Sequence, residues 1–142
     1  MIETPVCIIG CGPIGLTGSL LLSRYGVASL LVERRSELNT HPRSRFVDTN
    51  TMELLREFGI DKVVEATGLD EDWTAFNRWF DTLAAEPYAE IPSPTFVKRL
   101  GPHSPCVPAM TVQDQVERAL MSCIVDDPNL SLIHISEPTR PY

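Results

Sequence analysis

A short apolar run, Val6-Cys7-Ile8-Ile9, leads into Gly10-Cys11-Gly12-Pro13-Ile14-Gly15. A second apolar run, Ser29-Leu30-Leu31-Val32, ends on Glu33. The two runs and the turn constrain the fold more than any other part of the chain. Continuous apolar runs of this length suit parallel strands covered on both faces. A segment with helical spacing joins them: Ile14, Leu21 and Tyr25 lie on one track, Leu16 and Leu20 on another. Gly12 to Tyr25 is thus predicted as a helix, with Gly26 as its stop. Strand, helix and strand fill about 30 residues, the size of one βαβ unit.

The glycines have separate physical uses. Gly10 permits the tight turn, Gly12 lets a pyrophosphate approach the backbone, and Gly15 lets the helix pack close to the sheet. Backbone N–H groups at the positive end of the helix, from Ile14 onward, can then receive phosphates. Pro13 suits the first helical position, where its missing N–H costs nothing. Glu33 lies 18 residues past Gly15, where an acid can accept ribose hydroxyls. These residues predict a bound dinucleotide and do not by themselves separate FAD from NAD.

Beyond Glu33, Ser36 to Arg45 is polar, contains Pro42 and reads as a loop. Asn50 reads as an N-cap, with Glu53 completing a capping box for a helix over Thr51–Phe58. A short helix is predicted over Asp61–Ala66. Trp73 to Leu83 suits strand. Six prolines between Pro87 and Pro108 break the next stretch into short strands and turns. Thr111 and Asp114 open a last helix to Ile124, with Val112, Val116, Ala119, Leu120 and Cys123 as its apolar stripe. Core packing is the expected use of Trp73, Phe76, Trp79 and Phe80, with the lining of an aromatic substrate site as the alternative.

Composition narrows the partners. A net charge of −7 argues against a nucleic-acid surface, which needs clustered Lys and Arg. No apolar run approaches the roughly 18 residues of a membrane span. Glu3 stands where a secretory signal would be basic, so a cytoplasmic protein is expected. Cys7, Cys11, Cys106 and Cys123 show no C-x-x-C pair, which disfavours zinc. They read as buried small hydrophobes in a reducing compartment. His41 and His103 have no partners at metal-ligand spacing, so no metal site is expected.

Residues 1–129 resemble the para-hydroxybenzoate hydroxylase-like family of FAD-dependent aromatic monooxygenases. The resemblance lies in GCGPIGL at 10–16, VERR at 32–35, HPRSRFVDTNTMELLREFGI at 41–60 and TVQDQVERAL at 111–120. It implies an α/β fold: a truncated, Rossmann-like FAD-binding domain with a parallel sheet and part of an antiparallel strand region. It also implies that Glu33 holds the ribose of the FAD adenosine, that Arg43 reaches the diphosphate and that Gln113 contacts the FAD. Arg34 and Arg45 are weaker candidates. Two charge-assisted bonds to phosphate oxygens suit a guanidinium to the task given to Arg43. Such enzymes take electrons from NAD(P)H and transfer one atom of molecular oxygen to a small aromatic ring, usually a phenol. No catalytic residue is assigned within this chain. An NAD(P)-dependent Rossmann dehydrogenase and a non-hydroxylating flavoprotein are the alternatives.

From Leu130 to Arg140, eleven consecutive residues resemble one reading frame of a transposon-end sequencing adapter. Residues 130–142 are therefore expected to be non-native, with a native strand over Leu130–Ile135 as the alternative. On that expectation the chain is an N-terminal fragment. The family's Asp-Gly and later Gly-Asp segments would lie past residue 129.

Overall fold

A computed structural model describes residues 3–38, 43–69, 76–92, 103–125 and 127–135. The chain forms two compact units, one of residues 1–43 with 113–142 and the other of residues 44–112.

The first unit carries β1 (Val6–Ile9), α1 (Pro13–Arg24) and β2 (Ser29–Glu33). The helix Gln113–Ile124, here α4, and the strand Leu130–His134, here β5, complete it. The three strands form one parallel sheet in the order β1-β2-β5. The N–H of Val27 bonds to the carbonyl of Leu22 and that of Gly26 to Ser23, which closes α1. Side chains fix the helix further. Ser19 and Ser29 share a buried hydroxyl hydrogen bond of 2.6 Å between α1 and β2. Ser23 Oγ donates to Asp127 and accepts from Asn129, which anchors the end of α1 to the turn before β5.

Sheet register decides which side chains are covered. Ile8, Leu31 and Leu132 stand in one row, and Leu31 is fully buried. Leu16 and Leu20 of α1 and Val116, Ala119, Leu120 and Ile124 of α4 are buried too. The opposite face carries Cys7 and Ile9 of β1, Leu30 and Val32 of β2 and Ile133 of β5. Ile9 there is 86% exposed. The expectation of strands covered on both faces is thus corrected for β1: Cys7 and Ile9 are exposed on that face, whereas Leu30, Val32 and Ile133 are half-buried. The two tracks of α1 differ in the same way. Leu16 and Leu20 are buried, whereas Ile14 and Tyr25 are exposed. The cysteines also depart from expectation. Cys11 and Cys106 are buried, Cys123 is half-buried, and Cys7 lies exposed on the open face of β1.

The second unit contains α2 (Thr49–Glu57), α3 (Asp61–Ala66) and the antiparallel pair β3 (Phe76–Trp79) and β4 (Ala89–Pro92). The predicted α3 matches residue for residue. The cap of α2 is Asp48, not Asn50: its carboxylate accepts the Thr51 N–H at 2.8 Å. Asp48 precedes Thr51 by three residues, the spacing such a bond requires, and the helix starts two residues earlier than predicted. Met52, Leu55, Ile60, Val64 and Cys106 form the core of this unit. Val47 and Ala109 bridge by paired backbone bonds, and the hydroxyls of Thr67 and Thr111 meet at 2.8 Å. Thr111 is used there, and α4 begins at Gln113.

The aromatic residues are not core. Phe76, Trp79 and Phe80 are each more than a third exposed on or beside the β3–β4 hairpin, and Trp73 lies outside the described residues. A two-stranded sheet has no second layer of its own to bury such rings. Among the described residues, no helix is long and apolar enough to cross a membrane.

Candidate functional site

The site begins where β1 becomes α1. The Gly10 N–H bonds to the Val32 carbonyl at 2.8 Å, which keeps the end of β1 in the sheet. Gly10 then turns with φ of 105°, a conformation that side-chain-bearing residues rarely adopt. Gly12 caps the helix in an extended conformation, and Pro13 occupies its first turn. The amides of Ile14 and Gly15 precede the first intrahelical bond, which runs from Leu16 N–H to Gly12 carbonyl. A Cβ on Gly12 would meet nothing within 4 Å, so the turn faces open space on that side. A Cβ on Gly15 would stand 2.0 Å from the Gly10 carbonyl oxygen, so any side chain there would force strand and helix apart.

Glu33 reaches back from the end of β2 to this turn. Its Oε2 accepts the Cys11 N–H at 2.8 Å and its Oε1 accepts the Arg35 N–H at 2.9 Å. The Cys11 bond, then the Arg35 bond, hold the Glu33 carboxyl below the ordinary glutamate value, against a smaller opposing effect of burial. The Cys11 thiol is pushed the other way, up to about 11, by burial and then by the Glu33 charge. At neutral pH the pair is a carboxylate beside a neutral thiol.

A cleft of about 350 Å³ opens beside the turn, within the range of about 300–1,000 Å³ typical of small-molecule sites. Cys11, Gly12, Glu33, Arg35, Arg43 and Glu117 are among its lining residues. The structure thus brings three sequence-predicted residues, Gly12, Glu33 and Arg43, to one cleft. Arg35 lines it, whereas Arg34, a weaker candidate from the sequence, does not. Gln113 is not on the cleft wall, but its N–H donates to the Arg43 carbonyl at 3.0 Å, which ties the start of α4 to the arginine. Pro13, Ile14 and Gly15 stand behind the turn in the first turn of α1. Arg45 is exposed in the second unit, and His41 lies outside the described residues. Glu117 was missed by sequence reasoning. Its signal is the spacing of four from Gln113, which places both residues on one helix face.

Residues 3–136 match the family model described as FAD binding domain. The chain belongs to this FAD-binding domain family. It is 32% identical over 108 residues to 2,4-dichlorophenol 6-monooxygenase of Cupriavidus pinatubonensis, covering 75% of this chain and 18% of that protein. It is 32% identical over 140 residues to tetracenomycin A2 monooxygenase-dioxygenase of Streptomyces glaucescens, covering 99% of this chain and 21% of that one. Among solved structures, the flavin-dependent monooxygenase PieE in complex with FAD and substrate superposes with a TM-score of 0.83. That match has 31% identity and covers 94% of this chain and 24% of PieE. The chain therefore spans about a fifth of the length of the curated relatives it matches.

The residues present fit the cofactor of this FAD-binding domain. An ionised carboxylate offers about four acceptor positions, and backbone amides, those of Cys11 and Arg35 foremost, occupy part of that capacity on Glu33. The remaining capacity suits the two hydroxyls of a ribose. The open side of Gly12 and the unbonded amides of the first turn of α1 suit a diphosphate.

Proposed function

We propose that the full-length protein carrying this chain is an FAD-dependent monooxygenase. It takes electrons from NAD(P)H and transfers one atom of molecular oxygen to a phenol-like aromatic ring. One observation carries the reading: a chain matched over residues 3–136 by the FAD-binding domain also carries the anchored Glu33, the open glycine turn and Arg43 around one cleft. The monooxygenase names of its relatives supply the reaction class. Bound FAD supplies the redox and oxygen chemistry. The residues of this chain bind and orient it. Glu33 accepts the ribose hydroxyls, and Gly10 to Gly15 present the phosphate-facing amides. Arg43 clamps the diphosphate, with Arg34 as a lesser contact, and Gln113 adds a polar contact from α4. A cytoplasmic location belongs to the same reading.

We also propose that residues 130–142 are adapter read-through. The eleven-residue likeness to adapter sequence supports this. Formation of β5 is compatible with it, because the slot beside β2 asks only for strand-forming residues with apolar side chains at Leu130 and Leu132. Sequencing the native locus through the codon for Asn129, from a library made without transposase, checks this. An open frame with a different continuation is expected, and a genome that encodes Leu130 to Tyr142 contradicts it.

The activity is tested by incubating the full-length protein with NADPH or NADH, oxygen and a panel of phenols. Hydroxylated product from the full-length protein and none from the 142-residue chain is the expected outcome. Flavin-independent reduction of NAD by an alcohol would overturn the reading in favour of a dehydrogenase.

A further inference from the structure

The first two turns of α4 carry a buried carboxylate for which the cofactor reading has no use. Glu117 is 3% exposed, and its Oε1 accepts a hydrogen bond of 2.6 Å from Gln113 Nε2. The bond runs from the Gln113 amide nitrogen to the Glu117 carboxyl oxygen, so the nitrogen is the atom that faces Glu117. The amide oxygen of Gln113 is then turned away from Glu117. Gln113 is thereby held at two points, by its backbone N–H on the Arg43 carbonyl and by its side chain on Glu117. Glu117 and Arg43 both line the cleft that begins at Gly12 and Glu33. A carboxyl group that is 3% exposed is costly to keep in a fold unless it is paired.

We infer that Glu117 is a positioning residue for the cofactor. It selects one of the two orientations of the Gln113 amide, so that Gln113 offers its carbonyl oxygen, an acceptor, to a hydroxyl of the bound dinucleotide. The inference rests on the reading that Gln113 faces FAD. Without Glu117 the amide turns freely, and half of its orientations present N–H groups where the oxygen is needed. Glu117 acts through Gln113, so its effect vanishes when Gln113 is absent.

The experiment is an FAD titration of the full-length protein, followed by flavin fluorescence, with the melting temperature of each variant measured alongside. Glu117→Ala is expected to weaken FAD binding roughly tenfold, the scale of one hydrogen bond to a charged group. Glu117→Gln can still accept the Gln113 N–H through its amide oxygen and is expected to stay within about threefold of wild type. Glu117→Asp withdraws the carboxylate by one methylene and is expected to match Glu117→Ala, which keeps the test open if the alanine variant does not fold. In a Gln113→Ala background, Glu117→Ala is expected to cost nothing further in FAD affinity. A full additional loss in that background would overturn the inference, because Glu117 would then act on the cofactor itself. Unchanged binding in both Glu117→Ala and Glu117→Asp would also overturn it. A wild-type protein that binds no FAD overturns the cofactor reading beneath it, and that failure shows before any substitution is made.

Discussion

Glu33 holds the glycine turn in shape before any cofactor arrives. Its carboxyl titrates below the ordinary value of 4.5 because the backbone amides of Cys11 and Arg35 bond its charged form. A depressed carboxyl contributes stability that is present above the unfolded value and lost as pH falls through the folded one. The melting temperature of wild type should therefore exceed that of Glu33→Gln by a constant margin near neutral pH. The margin should shrink as pH drops below about 4.5. A margin independent of pH down to strong acid would show that the charge plays no part in the turn. The neighbouring thiol gives a second prediction. Cys11 is buried with its ionisation pushed up to about 11, while Cys7 is exposed. Iodoacetamide at pH 8 should label Cys7 well before Cys11, as read by peptide mass spectrometry. Gly15 gives a third. The close approach of the Gly10 carbonyl leaves no room for a methyl group, so Gly15→Ala should cost at least the roughly 1–3 kcal/mol of an overpacked site in a denaturant melt.

Among the elements, those whose signal is local were legible in the sequence. β1, α1 and β2 follow from two apolar runs, one helical spacing and a glycine turn, and α3 falls on its predicted residues. Features with two local candidates, or set by what covers a surface, were less legible. Asn50 and Asp48 are both good cap residues, and only the observed bond from Thr51 N–H to Asp48 chooses between them. Asp48→Ala should therefore cost about 1 kcal/mol in a denaturant melt, while Asp48→Asn should cost less. The aromatic run from Phe76 to Phe80 looks like core by composition, but a hairpin without a covering layer leaves its rings exposed. In the candidate site, Gly12 and Glu33 were legible from motif spacing, and Arg43 from the family resemblance alone. Arg35 and Glu117 were not, because their places on the cleft are set by the turn after β2 and by the rotation of α4.

At the scale of the whole molecule, the sheet has one face whose central residue, Leu31, is fully buried and one that is exposed at Cys7 and Ile9 of β1. Cys7 and Ile9 share that face by register with the half-buried Leu30 and Val32. An exposed apolar surface of this kind attracts hydrophobic dyes and other chains. The 142-residue chain on its own should thus enhance the fluorescence of an anilinonaphthalene sulfonate dye, and Ile9→Ser should lower the signal. The chain covers about a fifth of the length of its curated relatives. The function proposed for the full-length protein stands or falls with the cofactor. Denaturing the purified full-length protein and identifying the released cofactor by mass spectrometry tests it most directly. Stoichiometric FAD is the predicted result; bound NAD with no flavin would contradict it.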